Sequence, residues 1–247
     1  MVHVKFFCHF LNNPQWELGN KTVTDFESQI RIHSFFIPNN LEDLNSCFNL
    51  LNEAEIKRAQ SYHQLKDSQR FIIARGILKK LASQYLSIPP NEIEINIGTN
   101  KKPFIGSNTS IKLDYNISHS GNWIVIAFGF GSIGIDVEQI NHSFNYDAIL
   151  AACFNVEEQK FIQQKPNSTE LFYRLWTRKE AFVKATSKGL DNNLPQIICL
   201  NGEWELMEHD SLSQSWETLS FSLDLDHVAS LSYSGSKKNI LFIKQDI

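Results

Sequence analysis

At Ile88-Pro89-Pro90 the hydrophobic pattern of the chain switches from a helical period to an alternating one. Upstream, Phe71, Ile72, Ile73, Ile77, Leu78, Leu81 and Tyr85 recur at three-to-four spacing, which predicts a helix over Lys66–Leu86. Proline lacks an amide hydrogen and disfavours helix in the residue before it, so the pair ends that helix. Downstream, Ile93, Ile95 and Ile97 alternate with polar residues, and a strand ending at Gly98 is expected.

The same two periods organise the rest of the chain. Strands are expected at Val2–Phe10 and Gln29–Ile37, and short helices at Asn40–Leu51 and Asn52–Tyr62. A polar loop, Thr99–Ser110, precedes strands at Tyr115–Ser118, Trp123–Phe130 and Ile133–Val137. Helices follow at Tyr146–Cys153, Val156–Gln164 and Ser168–Ser187. Strands close the chain at Ile197–Leu200, Phe221–Leu225, Val228–Tyr233 and Ile240–Lys244. The order predicts an α+β fold of two halves, 1–130 and 131–247, each with a small antiparallel sheet packed on helices. No low-complexity linker separates them.

Charge and cysteine content narrow the function classes. The 23 Lys and Arg stand against 27 Asp and Glu, a net charge of -4, which excludes a general nucleic-acid coat but allows a local phosphate pocket. Cys8, Cys47, Cys153 and Cys199 are far apart with no CxxC pair, so neither a zinc ribbon nor a disulfide framework is expected. MVHVKFFCHF lacks the charged and apolar regions of a secretory leader, and no apolar run reaches the ~18 residues of a membrane helix. A cytoplasmic, soluble protein is expected.

Four clusters carry chemistry. In Gly134-Ile135-Asp136-Val137-Glu138 the two carboxylates share one strand face and repel unless a cation lies between them. Oxygen ligands select a hard ion such as Mg²⁺. In Trp176-Thr177-Arg178-Lys179-Glu180-Ala181-Phe182-Val183-Lys184, residues 176, 180 and 184 fall on one helix face, and Glu180 can complete a metal site or act as a base. Asn116-Ile117-Ser118-His119-Ser120-Gly121 offers hydroxyl, imidazole and amide donors to a phosphate. Lys57, Arg58, Arg70, Arg75, Lys79 and Lys102 would suit a polyphosphate ligand if gathered at one pocket.

Lys102-Pro103, NISHSG at 116–121, GIDVE at 134–138 and WTRKEAFVKATSKGL at 176–190 occur in that order, and together they resemble the 4′-phosphopantetheinyl transferases of the large, Sfp-type group. The resemblance is firm from about Lys66 to Leu190. It implies a monomeric pseudo-dimer of two similar halves, with coenzyme A as co-substrate in the cleft between them. It implies Mg²⁺ on Asp136, Glu138 and Glu180, and catalytic roles for Glu180 and Lys184. Coenzyme A contacts are implied for Arg70, Lys102, Ser118, His119, Lys179 and Lys184, with His119 on the 3′-phosphate. Glu158 matches a further family acid, whereas Phe71 stands where some members have a hydroxyl residue. The implied partner is an acyl or peptidyl carrier protein of fatty-acid or secondary-metabolite synthesis, with no nucleic acid and no membrane. Its docking surface is expected around Phe144, Tyr146, Phe154 and Phe161. A non-catalytic coenzyme A-binding module and a metal-dependent phosphohydrolase are the alternatives.

Overall fold

Three strands open the chain: β1 (Val2–Phe10), β2 (Trp16–Leu18) and β3 (Gln29–Phe36). A 3₁₀ segment over Ile37–Asp43 leads to α1 (Leu44–Phe48), α2 (Glu53–Gln60) and α3 (Leu65–Leu86). Next come β4 (Glu94–Ile97), β5 (Pro103–Gly106), β6 (Asp114–Ser120), β7 (Trp123–Gly129) and β8 (Ile133–Gln139). Helices α4 (Asp147–Cys153), α5 (Val156–Gln163) and α6 (Ser168–Thr186) precede β9 (Gly202–Glu208), β10 (Trp216–Ser222), β11 (His227–Ser234) and β12 (Asn239–Lys244). The computed structural model describes residues 2–19, 25–98, 102–106, 111–187, 194–208 and 215–244. Most of the expected loop Thr99–Ser110 and the SKGL end of the helical motif, from residue 188, lie outside them.

The fold is mixed α+β, with four layers. Ile73, Ile77 and Leu81 of α3 pack on Phe35, Ile126 and Phe128 of a five-stranded sheet, β2-β12-β3-β7-β6. Phe172, Leu175 and Phe182 of α6 pack on Val4, Phe6 and Trp216 of the other, β8-β11-β10-β1-β9. Between the sheets, Ile30, Ile32, Val125 and Ala127 meet Ile135, Leu219, Ala229 and Leu231. Because both its faces are covered, β7 is buried at every position and reads as one apolar run, WIVIAFG.

Three expectations are corrected. The sheets are not purely antiparallel: β1 runs parallel to β10, and β12 runs parallel to β2 and β3. The division at 130/131 is also not the division in space. β1 lies in the sheet of β8–β11, and β12 lies in the sheet of β3 and β7, so each half lends its terminal strand to the other. Parallel neighbours need a long crossover, and here nearly the whole chain supplies it. The strand expected at Ile197–Leu200 is irregular. Its place in the sheet belongs to β9, which pairs with β1.

The helical layers share one local device. Asn52 and Asn155 cap α2 and α5, each in a reciprocal capping box with the Glu three residues on, Glu55 and Glu158. Each glutamate then pairs with a buried lysine of the next long helix, Glu55 with Lys79 at 2.8 Å and Glu158 with Lys179 at 2.9 Å. Both long helices end at a left-handed serine, Ser87 (φ 55°) and Ser187 (φ 59°).

Gly134 sets how closely α6 approaches β8. A Cβ there would overlap the Ala181 carbonyl and the Ala185 amide, both backbone atoms that cannot swing away. Gly134→Ala should therefore destabilise the protein by about 2–3 kcal/mol, the upper range for overpacking. Denaturant unfolding measures this, and an unchanged midpoint would show that α6 is free to shift.

Candidate active site

β6 and β8 are the outer strands of the two sheets, and they lie side by side. Alternate amides of β8 point away from β11 and need acceptors. Side chains of β6 provide them: Asn116 Oδ1 accepts from Ile135 N (2.8 Å), Ser118 Oγ from Val137 N (3.4 Å) and Ser120 Oγ from Gln139 N (3.0 Å). The two-residue period of Asn-x-Ser-x-Ser matches the two-residue period of the amides. The same hydroxyls hold the carboxylates between those amides. Ser118 donates to Asp136 Oδ1 at 2.9 Å and Ser120 to Glu138 Oε2 at 3.0 Å.

From α6, Lys184 reaches into this junction and donates to Asp136 Oδ1 (2.6 Å) and Ser118 Oγ (3.0 Å). Glu180, one turn earlier, completes the group. Burial and the Asp136 and Glu138 charges push Glu180 up to about 7, against the partial relief of Lys184. Glu138 is raised by burial and by Asp136, and Asp136 is raised by burial despite Lys184 and Ser118. Asp136 Oδ2 is buried with no hydrogen-bond partner. Three acids thus crowd one cation, with one carboxylate oxygen unsatisfied.

The remaining expected residues divide into two groups. His119 keeps an exposed edge, yet burial of its ring and then the Arg70 and Lys184 charges hold it below the usual imidazole value. Arg70 pairs with Asp67 and donates to the Gly121 carbonyl at 3.4 Å, so it stands at the same turn. Lys102 spends two donors on the Ile133 and Ala185 carbonyls (3.1 and 3.2 Å), keeping a third at the β8–α6 junction.

Lys179 does not reach the site. Its ammonium is 1% exposed and is consumed by Glu158 and the Leu194 and Ile197 carbonyls. The coenzyme contact expected of it is withdrawn. Glu158, fully buried, acts with it in the core and also accepts from Cys199 N. The Ser118 hydroxyl is likewise saturated by Asp136, Lys184 and Val137 N, so it organises the acids instead of holding a phosphate. Lys79 and Arg75 are turned to Glu55, while Arg58 and Arg75 both lie over the Phe71 ring. Of the expected docking residues, Phe144 and Phe161 are exposed, but Phe154 is core and Tyr146 stacks on Phe172. Asn116 and Ser120 belong to the expected phosphate-donor cluster, but they accept from β8 amides instead, a role whose signal is the alternation of NISHS with GIDVE.

Residues 38–129 match the family model for the 4′-phosphopantetheinyl transferase N-terminal region, and residues 132–233 match that of the 4′-phosphopantetheinyl transferase superfamily. The 4′-phosphopantetheinyl transferase gsp of Aneurinibacillus migulanus is 30% identical over 175 residues, 68% of each chain. The chain belongs to the 4′-phosphopantetheinyl transferase family. HetI, the family member of Nostoc sp., is 29% identical over 168 residues, covering 64% of this chain and 70% of HetI. A relative from Synechocystis sp. is 32% identical over 152 residues, and there the match spans 62% of the relative's length. The boundary between the two family models falls at the β7–β8 turn, so this transferase-family chain assembles its site from residues of both regions.

The raised Glu180 has a thermodynamic signature. Between its ordinary 4.5 and about 7 the folded state retains a proton that the unfolded chain has released. Stability in a chelator-treated sample should therefore fall as pH rises through that window. Glu180→Gln cannot ionise, so its thermal midpoint should fall less and exceed that of the wild type above pH 7. Parallel curves for the two proteins would show that Glu180 is not strained.

Proposed function

We propose that this protein transfers the 4′-phosphopantetheine group of coenzyme A to a serine hydroxyl of an acyl or peptidyl carrier protein in the cytoplasm. The serine oxygen–phosphorus bond forms, the pyrophosphate bond breaks, and 3′,5′-ADP leaves. The observation that carries the reading is the convergence of Asp136, Glu138, Glu180 and Lys184 at the β6–β8 junction in a chain of this family. The serine proton needs an acceptor at this junction, and Glu180, directly or through a metal-bound water, is offered as that acceptor. Lys184 can leave Asp136 for the reacting phosphate and stabilise its charge in the transition state. Arg70, His119 and the free donor of Lys102 supply the remaining phosphate contacts.

Among the described residues, no three His, Cys, Asp or Glu side chains are arranged as a ready metal cluster. The donor set nevertheless suits a hard divalent cation: three mutually repelling carboxylates and a buried, unpaired Asp136 Oδ2. Asp136, Glu138 and Glu180 would hold Mg²⁺, which when bound neutralises pyrophosphate charge. The matched Asn-Glu-Lys devices and left-handed serine ends of the two helical layers support an internal duplication. One chain would then carry the whole cleft as a monomer. Exposed Phe144, Val156 and Phe161 lie on the segment after β8 and are offered as the carrier-docking surface.

Incubating carrier proteins with the enzyme, Mg²⁺ and coenzyme A should add about 340 Da to the carrier by mass spectrometry. Release of free phosphate without carrier modification would instead favour a phosphohydrolase, and coenzyme A binding without turnover a non-catalytic module. Lys184→Ala should lower turnover by about 10²–10³-fold with a far smaller change in coenzyme A affinity. Equal losses in both would make Lys184 a ligand anchor only.

His119 and Arg70 should read the 3′-phosphate, because a neighbouring dianion restores charge to an imidazole that the free protein holds below its usual value. His119→Ala should weaken coenzyme A about 10-fold or more and leave dephospho-coenzyme A nearly untouched. Calorimetry on both ligands decides it, and an equal loss for the two would assign the phosphate to other residues.

A further inference from the structure

The turn that carries His119 and Gly121 is held from the opposite sheet by one carboxylate. Asp224, in the β10–β11 turn, accepts from Trp123 Nε1 through Oδ2 at 2.8 Å. Its Oδ1 meets His227 Nδ1 at 2.9 Å and also accepts from Asp226 N at 2.8 Å. His227 is 7% exposed, and its other ring nitrogen has no hydrogen-bond partner. That Nε2 lies 2.8 Å from where a Cβ would stand on Gly121, and Gln139 Oε1 lies 3.0 Å from the same point. Gly121 has φ +56°, so glycine is required there twice, for its conformation and for the approach of His227. One side chain therefore bonds the turn directly at Trp123 and orients an imidazole that packs closely against Gly121. From the other side, Arg70 holds the Gly121 carbonyl.

We propose that Asp224, acting through His227 and Trp123, is a positioning residue for the coenzyme-binding turn. It touches neither the three acids nor Lys184. Its effect is on where the His119 imidazole and the 119–121 backbone stand relative to Arg70. The Trp123 bond also ties the β6–β7 turn of one sheet to the β10–β11 turn of the other, beside the strand that carries Glu138, while the Asp224 bond to His227 orients the ring that packs on Gly121. A turn joined only through β6 and β7 could pivot about Gly121. Bonded at Trp123 and packed at Gly121, it presents its donors in one orientation before ligand arrives, which lowers the ordering cost of binding.

The inference rests on the coenzyme A reading above, so its test includes a readout that needs no ligand. Asp224→Ala should raise amide hydrogen exchange in a peptide spanning residues 119–123, with little change in α3 or α6. It should weaken coenzyme A about 5- to 10-fold by calorimetry, the loss expected from one hydrogen bond to a carboxylate, and leave kcat at saturating coenzyme within about twofold. The KM for the carrier should stay unchanged. Trp123→Phe keeps the ring packing and cuts one bond, so it should give a smaller loss of the same kind. Added to Asp224→Ala, it should cost little more, because the two changes share one interaction. If Asp224→Ala fails to fold, Trp123→Phe alone decides.

Wild-type coenzyme affinity in a folded variant, or equal losses for coenzyme A and carrier, would overturn the proposal. So would faster exchange of the turn with no change in coenzyme affinity. If the wild type binds no coenzyme A, the functional reading falls, and the exchange measurement still reports whether Asp224 fixes the turn.

Discussion

The site depends on hydrogen bonds that join the outer edges of two sheets without main-chain pairing. An exposed strand edge leaves amides that must find acceptors. Along β8 those acceptors are the side chains of Asn116, Ser118 and Ser120 on β6. Because the bonds come from side chains, the two strands stand farther apart than neighbours in a ladder, and the seam between them can hold carboxylates. Ser118 and Ser120 each use one oxygen twice, to satisfy a β8 amide and to orient the acid next to it. The position of Asp136 and Glu138 is thus a by-product of how the sheets are closed against each other.

The electrostatics follow from that placement. Buried acids facing one another are costly, and proximity raises the proton affinity of each. Lys184 compensates only part of the charge. A fold chosen for stability alone would put apolar groups in such a seam, whereas a site for a highly charged ligand keeps the unfavourable arrangement until the ligand relieves it. The ion pairs Glu55–Lys79 and Glu158–Lys179 of the helical layers lie away from the seam.

The sequence made the local order legible. Period-two spacing in GIDVE and four-residue spacing in the Trp176–Lys184 motif put the acids and Lys184 on facing surfaces, as observed. Helix α3 was expected over Lys66–Leu86 and spans Leu65–Leu86. Non-local choices were hidden. Alternation marks a strand but does not name its neighbour, so the exchange of β1 and β12 left no trace in the pattern. Lys179 adjoins Glu180 and looks like another charge of the site. Its burial depends on Glu158, 21 positions earlier, turning inward from a capping box. Asp224 sits in the short polar turn SLDLDH, indistinguishable from solvated turns until Trp123 is folded against it.

The exchanged strands also bear on how the protein is made. A ribosome releases β1 about 200 residues before its partners β9 and β10, around residues 202–222. Until they emerge, VHVKFFCHF is an unpaired, largely apolar segment with a strong tendency to pair with any other strand edge. The second sheet in turn lacks β12, which holds β2 against β3, until residues 239–244 have emerged. Neither sheet can be completed before these distant strands are present. Folding waits for a highly non-local closure, slow by nature, in which β1 and β12 lock together the sheets of the segments they are farthest from in sequence.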